Sequence, residues 1–314
     1  MTTSTGPEAG PRGPRVFTDA DVSAALAPGD AVAALRSALI AHSEGRLVAP
    51  PRVHAQLASG RIIVTAGESP GEWFGYRSYD SLGAVPGEQV VVLHDARTGR
   101  VRALALGNAL GPMRTGAIGG VAVDALANPD ADDLGLIGTG TQAWTQLAAI
   151  ASVRHLRRVR VHSRTPARRG AFAARARREL GLAAEAVDTA YDSVHHAHIV
   201  VLATDSPTPV LDAAWVADGA FVTTLGPKQI GRAEFDTRLV DAADVTVTDS
   251  PAQITAYDPP CILAGTPQAT RFVALGDVLA GRAPGRTTPT QRVLFFSVGL
   301  AGAEVALLAH LAAR

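Results

Sequence analysis

The sequence predicts an α/β fold in which a doubly wound parallel sheet is joined to an N-terminal α+β domain. In the second half of the 314 residues, short apolar runs alternate with helical segments, which is typical of a parallel sheet. In the first half, a helical segment is followed by alternating strands, and no repeat of the βαβ type is present.

The composition is that of an ordinary globular chain. Hydrophobic residues make up 47% and charged residues 18%, and the formal net charge is zero. This balance gives no electrostatic argument for a nucleic acid or a membrane as partner. The single cysteine, Cys261, excludes an intramolecular disulfide and is compatible with a reducing cytoplasm.

Residues 16–125 are expected to form most of the first domain, after a disordered tail at residues 1–15 that is polar and rich in Gly and Pro. An aspartate and a long apolar periodicity predict one or two helices that end near Ser43. RIIVTAGE alternates as a strand, and the apolar runs on either side of ARTG predict a hairpin. These segments together predict an antiparallel sheet with a helix.

Residues 126–290 are expected to form the parallel-sheet domain. Its predicted strands are DLGLIG, RVRVHSR, HIVVLAT, AFVTTLG and DVTVTDS. Three histidines at 195, 196 and 198 have no acidic or thiol partner at a metal-ligand spacing, so a helix-to-strand connection is favoured over a metal site. The apolar stretch 293–311 predicts a buried helix, and residues 291–314 are expected to return to the first domain.

The segment LIGTGTQA, 136–143, closes a predicted strand and opens a predicted helix. The first glycine allows a tight turn, and the second lets the backbone approach a pyrophosphate that faces the first helical N–H groups. This strand–turn–helix context predicts a dinucleotide site of the Rossmann type. The residues assigned to it are Gly138, Gly140, Thr141, Gln142 and Ala143.

The end of the second predicted strand, VHSRTPARR, should contact the adenosine ribose of the dinucleotide. An NAD-binding domain commonly has a carboxylate there, whereas this chain has Ser163 and Arg164, with Arg168 close behind. Serine with arginine fits a 2′-phosphate, so NADP is predicted, with NAD as the alternative. The competing interpretation is an exposed, basic start of a helix.

The stretch GPMRTGAIGGVAVDALANPDADDLGLIGTGTQA resembles the ornithine cyclodeaminase/μ-crystallin family, in which an R-T-A/G-A segment precedes a GTG-x-QA loop. PPR, GYRSYD, HDARTGRVRAL, LATDSP, LGPK and FFSVGLA follow the family's order, so the resemblance covers nearly the whole chain. It implies an N-terminal dimerisation and substrate domain completed by the C-terminal helix, a Rossmann domain and a homodimer. It also implies hydride chemistry at the α-carbon of an amino or imino acid.

The resemblance assigns several residues, one position at a time. Arg52 and Arg114 match the family's substrate-carboxylate arginines, and a planar guanidinium suits a carboxylate on independent grounds. The remaining matched positions are expected near the nucleotide. They are Arg114 and Thr115 of the R-T segment, Thr204 and Asp205 after a Rossmann strand, and Ser297, Val298 and Gly299 near the nicotinamide.

Two departures from the family pattern bear on the chemistry. Arg77 stands where the family generally has a lysine near the substrate, and it is expected to bind or polarise the substrate. Lys228, the only lysine in the chain, stands where the cyclodeaminases have a catalytic aspartate. A lysine can exchange a proton more readily than an arginine, so Lys228 is the candidate proton donor or polar clamp. The competing interpretation is a lysine that contacts only solvent or phosphate.

Three functions remain open from the sequence. The favoured one is an NADP-dependent oxidoreductase, either an imine reductase or an amino-acid dehydrogenase, acting on a C=N or CH–NH₂ bond. The second is a cyclodeaminase, a lyase that uses tightly held NAD; Lys228 in place of the aspartate disfavours it. The third is a nucleotide-binding protein without catalysis, as in the crystallin relatives.

Overall fold

The computed structural model describes residues 13–82 and 88–314. Its first sheet has six strands in the order β1-β6-β5-β4-β3-β2. They are β1 (Arg15–Phe17), β2 (Val53–Leu57), β3 (Gly60–Ser69), β4 (Trp73–Asp80), β5 (Gln89–Asp95) and β6 (Val101–Gly107). The predicted hairpin around ARTG is confirmed, because β5 and β6 pair as antiparallel neighbours.

Two expectations about this sheet need correction. The sheet is mixed, because β1 pairs parallel to β6 while the other neighbours are antiparallel. The expected tail at 1–15 lies outside the described residues up to position 12, and Arg15 already belongs to β1. The Arg15 guanidinium donates to the carbonyls of Leu311 and Ala312, so this strand is fixed to the end of the chain.

Helices cover one face of the first sheet. Those of the first half are α1 (Asp19–Ala25), α2 (Pro28–Ser43) and α3 (Leu110–Leu126), so the predicted helical stretch divides into two before Ser43. Thr18 and Asp21 form a reciprocal capping box at the start of α1. The long, largely buried α3 packs on both α2 and the first helix of the second sheet, and it thereby joins the two halves of the molecule.

The second sheet is parallel throughout and has eight strands in the order β15-β14-β16-β11-β10-β7-β8-β9. Its strands are β7 (Asp133–Ile137), β8 (Arg158–His162), β9 (Ala184–Ala186), β10 (Ile199–Leu202), β11 (Phe221–Thr224), β14 (Val245–Thr248), β15 (Val273–Ala274) and β16 (Val293–Phe296). The chain crosses back from β9 to β10, on the other side of β7, so the strand order reverses beside β7. The predicted doubly wound sheet is therefore confirmed.

Short helices and a small ribbon connect these strands. The helices are α4 (Thr141–Ala151), α5 (Pro166–Leu180), α6 (Ala190–Val194), α7 (Arg238–Asp241), α8 (Pro251–Thr255) and α9 (Leu275–Leu279), with 3₁₀ turns at Ala213–Trp215 and Pro267–Arg271. The ribbon pairs β12 (Lys228–Gln229) with β13 (Arg232–Ala233). The predicted helix-to-strand connection at the three histidines is confirmed, since it lies between α6 and β10.

The prediction of one helix over 293–311 is wrong. The first four residues form β16, a buried strand between β11 and β14, and the helix α10 begins only at Ala303 and ends at Ala312. Gly299 and Gly302 have φ of +90° and +74° and end the strand before the helix begins. Because a central parallel strand is apolar on both faces, its sequence resembles that of a buried helix. Within this apolar stretch, α10 is the part that lies against the first sheet.

No single helix in the described parts of the chain has both the length and the apolar character needed to cross a membrane, although the bent pair α1–α2 meets that test by length and composition.

Candidate active site

A cleft of about 630 Å³ lies where the strand order of the second sheet reverses. Its walls come from the segments after β7, β8, β10 and β11, at the carboxyl ends of four neighbouring strands. Ligands of open parallel sheets bind at this position, because two adjacent connections leave in opposite directions and open a crevice.

The predicted glycine loop forms one wall of the cleft. Gly138 has φ of +121°, and a Cβ there would come within 2.1 Å of the Ala203 carbonyl oxygen. Gly140 precedes α4, whose N-terminus has no side-chain cap, and a Cβ at Gly140 would meet nothing within 4 Å. The backbone conformation and the close contact therefore require glycine at position 138. Gly140 leaves room for an anion beside the free N–H groups at the start of α4.

The end of the cleft beside β8 is basic. Ser163, Arg164 and Arg168 line it, and both of these arginines are exposed. Neither guanidinium has a hydrogen-bond or ion-pair partner among the described residues, whereas the neighbouring Arg169 bonds to the Ser163 carbonyl and to Asp188. Two unpaired cations beside a hydroxyl form a suitable site for a phosphate.

Glu234 fastens the opposite wall of the cleft. Its buried Oε2 accepts from the Thr204 N–H at 2.9 Å and the Thr204 hydroxyl at 2.8 Å. Its Oε1 accepts from the N–H groups of Leu225 and Gly226, at 3.0 and 2.5 Å. One carboxylate therefore holds together the ends of β10 and β11.

Two of the predicted substrate arginines meet at the segment after β16. Arg52 donates from Nε to Gln253 Oε1 at 2.8 Å and from Nη2 to the Val298 carbonyl at 2.6 Å. Arg114 lies against the next residue, because a Cβ on Gly299 would come within 2.9 Å of its Nη1. The two halves of the molecule therefore bring these side chains together.

Asp249, which follows β14, forms hydrogen bonds with the same Val298–Gly299 segment. Its Oδ1 accepts from the Val298 N–H and its Oδ2 from the Gly299 N–H, each at 2.8 Å. Burial raises the pKa of the Asp249 carboxyl above its ordinary value, although these two bonds and the charges of Arg114 and Lys228 act in the opposite direction. The charges of Arg114 and Lys228 thus both act on Asp249, which fixes the backbone of Val298 and Gly299.

Arg77 and Arg114 share one carboxylate oxygen. Arg77 Nη1 lies 2.7 Å from Glu304 Oε1, and Arg114 donates to the same oxygen from Nε at 2.8 Å and from Nη2 at 2.6 Å. Glu304 is 1% exposed, and its Oε2 has no partner among the described residues. Gln89 Oε1 accepts hydrogen bonds from Nε and Nη2 of Arg77, and the ring of Tyr79 stacks on the guanidinium.

The pKa values in this cluster follow from burial and charge. Burial alone would raise the pKa of Glu304, but the charges of Arg114 and Arg77 and the Arg114 hydrogen bonds hold it below its ordinary value. Burial lowers the pKa of the Arg77 guanidinium, and for Arg114 the attraction of Glu304 overcomes burial and raises it. Arginines remain protonated in either case, so the cluster carries two cations and one anion at neutral pH.

Lys228 lies beside Leu225, a residue of the cleft wall. Its side chain is buried, its Nζ donates to the Leu225 carbonyl at 3.2 Å, and the ammonium lies 5.5 Å from the centre of the Phe296 ring. Leu225 lines the cleft, and Phe296 ends the strand that leads to Val298 and Gly299. An ammonium is therefore present beside the cleft wall, next to the strand that leads to the Val298–Gly299 segment.

The structure separates the predicted site residues into two groups. Those that line the cleft are Gly138, Gly140, Thr141, Gln142, Ser163, Arg164, Arg168, Thr204 and Asp205. The second group consists of four cationic side chains and two residues of the segment after β16. They are Arg52, Arg77, Arg114, Lys228, Val298 and Gly299. Ala143 is a buried residue of α4. Thr115 lies within α3, and its carbonyl accepts from Gln146. Ser297 is buried beside Val298.

The sequence interpretation missed Glu234, Asp249, Gln253 and Glu304. Two of them had a visible signal: Asp249 directly follows an apolar Rossmann strand, and Glu304 interrupts the apolar stretch before the chain end. The arginine partners of Glu304 and Gln253 lie between 190 and 227 residues away in sequence, and no spacing pattern reports such contacts.

Comparisons with known proteins agree with this architecture. A model of the ornithine cyclodeaminase/mu-crystallin family matches residues 14–312. A protein of Sinorhizobium fredii named as an uncharacterized cyclodeaminase is 34% identical over 217 residues, 68% of this chain and 66% of that protein. A Δ1-pyrroline-2-carboxylate reductase of Bacillus cereus is 30% identical over 226 residues, 71% of this chain and 69% of the reductase. The structure of the Thermococcus litoralis Δ1-pyrroline-2-carboxylate reductase with NADH and L-proline aligns with a TM-score of 0.84 at 25% identity, covering 95% of this chain and 96% of that one.

Proposed function

Because the chain belongs to the ornithine cyclodeaminase/μ-crystallin family, we propose that it is an NADPH-dependent reductase of a carboxylate-bearing imine. In the opposite direction, the same site would act as an amino-acid dehydrogenase. The relatives named as pyrroline-2-carboxylate reductases support this class of reaction, and the relative named as a cyclodeaminase supports the principal alternative.

The cleft has the features that a nicotinamide dinucleotide requires. The loop at Gly138 and Gly140 and the uncapped start of α4 would hold the pyrophosphate, and Arg164 with Arg168 would hold a 2′-phosphate. Bound NADPH supplies a hydride. The remaining tasks, which are substrate binding, orientation and proton delivery, belong to side chains of this chain.

Three arginines would bind the substrate carboxylate. Arg52 and Arg114 present free guanidinium hydrogens at the Val298–Gly299 segment, and Arg77 would act beside Arg114, with which it shares the Glu304 carboxylate. Bidentate guanidinium contacts fix both the position and the plane of a carboxylate, which fixes the adjoining C=N carbon as well.

Lys228 would deliver the proton. Reduction of an imine places a hydride on carbon and a proton on nitrogen, so the site needs an acid close to the nitrogen. The Lys228 ammonium donates to only one acceptor among the described residues, and it lies at the edge of the cleft. This buried ammonium, in contact with Leu225 of the cleft wall and with Phe296, is the observation that carries the proposal.

The direct test follows NADPH absorbance with purified protein and a panel of imines. The panel contains preformed cyclic imino acids and 2-oxo acids with ammonia or methylamine, and NADH runs in parallel. We expect NADPH oxidation with at least one imine and none with the oxo acids alone. Absence of oxidation across the panel would refute the reductase assignment.

The cyclodeaminase alternative makes a different prediction. In that case the protein would release ammonia from ornithine or lysine without net oxidation of the nicotinamide. Lys228 disfavours it, because a buried cation repels the second ammonium of these diamino acids.

The predicted NADP preference rests on Arg164. We expect Arg164→Asp to raise the KM for NADPH by roughly 10- to 100-fold, the cost of a lost charge-assisted hydrogen bond. The KM for NADH should change by less than about threefold, because NADH has no 2′-phosphate for Arg164 to contact. Arg178→Asp, at the exposed far end of α5, is the matched control. Equal losses for both nucleotides would contradict the 2′-phosphate assignment.

We also propose that two copies pair through the first sheet. The sheet face opposite the helices carries Tyr76 and Leu106, which are 39% and 45% exposed, together with Phe74, Val53 and Val16. Such an extended apolar sheet face is typical of an interface. A second copy of the chain would bury it symmetrically, since a two-fold interface is self-complementary.

Charged residues on this face should separate the copies. Tyr76→Glu combined with Leu106→Glu is expected to convert a dimer into a monomer in analytical ultracentrifugation, because two carboxylates per copy would be buried without partners. Ile230→Glu, an exposed apolar position of the second half, should leave the dimer intact. A wild-type monomer would refute the pairing.

A further inference from the structure

The cations of the candidate active site outnumber their carboxylate partners. Among the described residues, one carboxylate, that of Glu304, lies within ion-pair distance of any of them. The four cations are Arg52, Arg77, Arg114 and Lys228. The nearby acids Asp249 and Glu234 direct their oxygens to backbone N–H groups and the Thr204 hydroxyl instead.

Two of the four cations have only neutral contacts. Arg52 bonds to the amide oxygen of Gln253 and the carbonyl of Val298. Lys228 is 3% exposed, and among the described residues its ammonium has one hydrogen bond, to the Leu225 carbonyl. Lys228 is buried and Arg52 is partly buried, and a charge away from water without a counter-charge is costly. A site with two such cations is therefore matched to a ligand with more than one negative group.

The Lys228 ammonium also has unused donors. An ammonium has three N–H groups, and one of them bonds to Leu225. The proposed proton transfer to the imine nitrogen uses a second N–H. The third N–H, on the same nitrogen atom, has no partner among the described residues.

We propose that the substrate is a 2-imino dicarboxylate, whose second carboxylate pairs with Lys228 while its first binds the arginines. This inference rests on the reductase function proposed above. When the second carboxylate is attached to the carbon next to the imine carbon, its oxygens and the imine nitrogen lie side by side. One ammonium can then contact both groups.

The reaction balances with groups already named. The imine carbon gains a hydride from NADPH, the C=N π bond becomes the lone pair of an amine, and the nitrogen takes a proton from Lys228. Water reprotonates Lys228 afterwards, and both carboxylates remain unchanged. The net reaction consumes one imine, one NADPH and one proton, and it yields one amino dicarboxylate and NADP⁺.

The first test compares two imines that differ at the proposed contact. Oxaloacetate with ammonia provides the dicarboxylate, and 2-oxobutyrate with ammonia provides a methyl group in its place. We expect kcat/KM to be about 100-fold higher for the dicarboxylate, as for a buried charge pair. Mass spectrometry must identify aspartate as the product, because oxaloacetate can lose CO₂. Efficient NADPH oxidation with 2-oxobutyrate and ammonia, at a ratio near one, would overturn the inference and leave the reductase function standing.

Substitutions at Lys228 separate charge from proton transfer. Lys228→Arg keeps a cation and should keep the dicarboxylate preference at low turnover, whereas Lys228→Met should bring the ratio near one. Calorimetry gives a readout that does not depend on turnover: with NADP⁺ present, wild-type protein should bind aspartate at least tenfold more tightly than 2-aminobutyrate. Equal affinities would refute the inference even if no imine were reduced. NADP⁺ binding by each variant checks that it is folded.

Discussion

Lys228→Met should lower kcat for the reduction of the best imine by about 10²- to 10⁴-fold, the range expected when a positioned general acid is removed. The physical reason is that methionine preserves the shape of the buried side chain beside Phe296 but has no proton to give. The Kd of NADPH, measured by fluorescence, should stay within about threefold, because Lys228 is not among the residues that line the cleft.

The comparison with Lys228→Arg defines the role further. A guanidinium supplies charge but does not release its proton near neutral pH, so this variant should also turn over slowly. If Lys228→Met retained wild-type kcat, Lys228 would be a structural residue, and the proton would have to come from solvent. If NADPH binding fell in parallel with kcat, the loss would reflect a damaged cleft.

The second large effect is expected at Glu304, which holds Arg77 and Arg114 together in the interior. Glu304→Leu would leave two buried guanidinium groups without a carboxylate, and removing one partner of a buried ion pair costs about 3–5 kcal/mol in the free energy of unfolding. Denaturant titration, followed by circular dichroism, measures that loss. The double variant Glu304→Leu with Arg77→Met should recover part of it, since one unpaired cation is removed.

The same carboxylate predicts a dependence on pH. Its pKa in the folded protein lies below the ordinary value, so its ionisation stabilises the fold above the ordinary glutamate pKa of about 4.3. That contribution is lost as the pH falls through the lower folded-state value. The stability difference between wild type and Glu304→Gln should therefore shrink below about pH 4. A difference of less than about 1 kcal/mol at pH 7 would contradict the ion-pair account.

Much of the second half could be predicted from the sequence, because its structure is encoded locally. The strands β7, β10 and β11 are short apolar runs before a turn, and the glycine loop at Gly138 has a fixed spacing. The strand β16 escaped prediction because its four apolar residues merge with the apolar helix that follows. The strand is separated from the helix by a segment in which Gly299 and Gly302 have positive φ values, and such backbone angles cannot be read from a sequence.

The candidate site was less accessible to sequence reasoning. The positions of Arg52, Arg77, Arg114 and Lys228 came from a family resemblance. Their surroundings depend on contacts between residues far apart in the chain, such as Arg77 with Glu304 and Arg52 with Val298. Tertiary packing decides which cations are neutralised and which are free. That distinction, which supports a dicarboxylate substrate, could not be predicted from sequence spacing.

The most direct test of the central proposal follows the hydride itself. The protein is incubated with NADPH carrying two deuterium atoms at C4 of the nicotinamide and with the best imine from the panel, and the product is examined by mass spectrometry. The reductase account predicts one deuterium on the α-carbon of the product amine and one NADP⁺ formed per product. Ammonia released from ornithine or lysine, with the nicotinamide left in its original oxidation state, would contradict that account and identify the protein as a lyase.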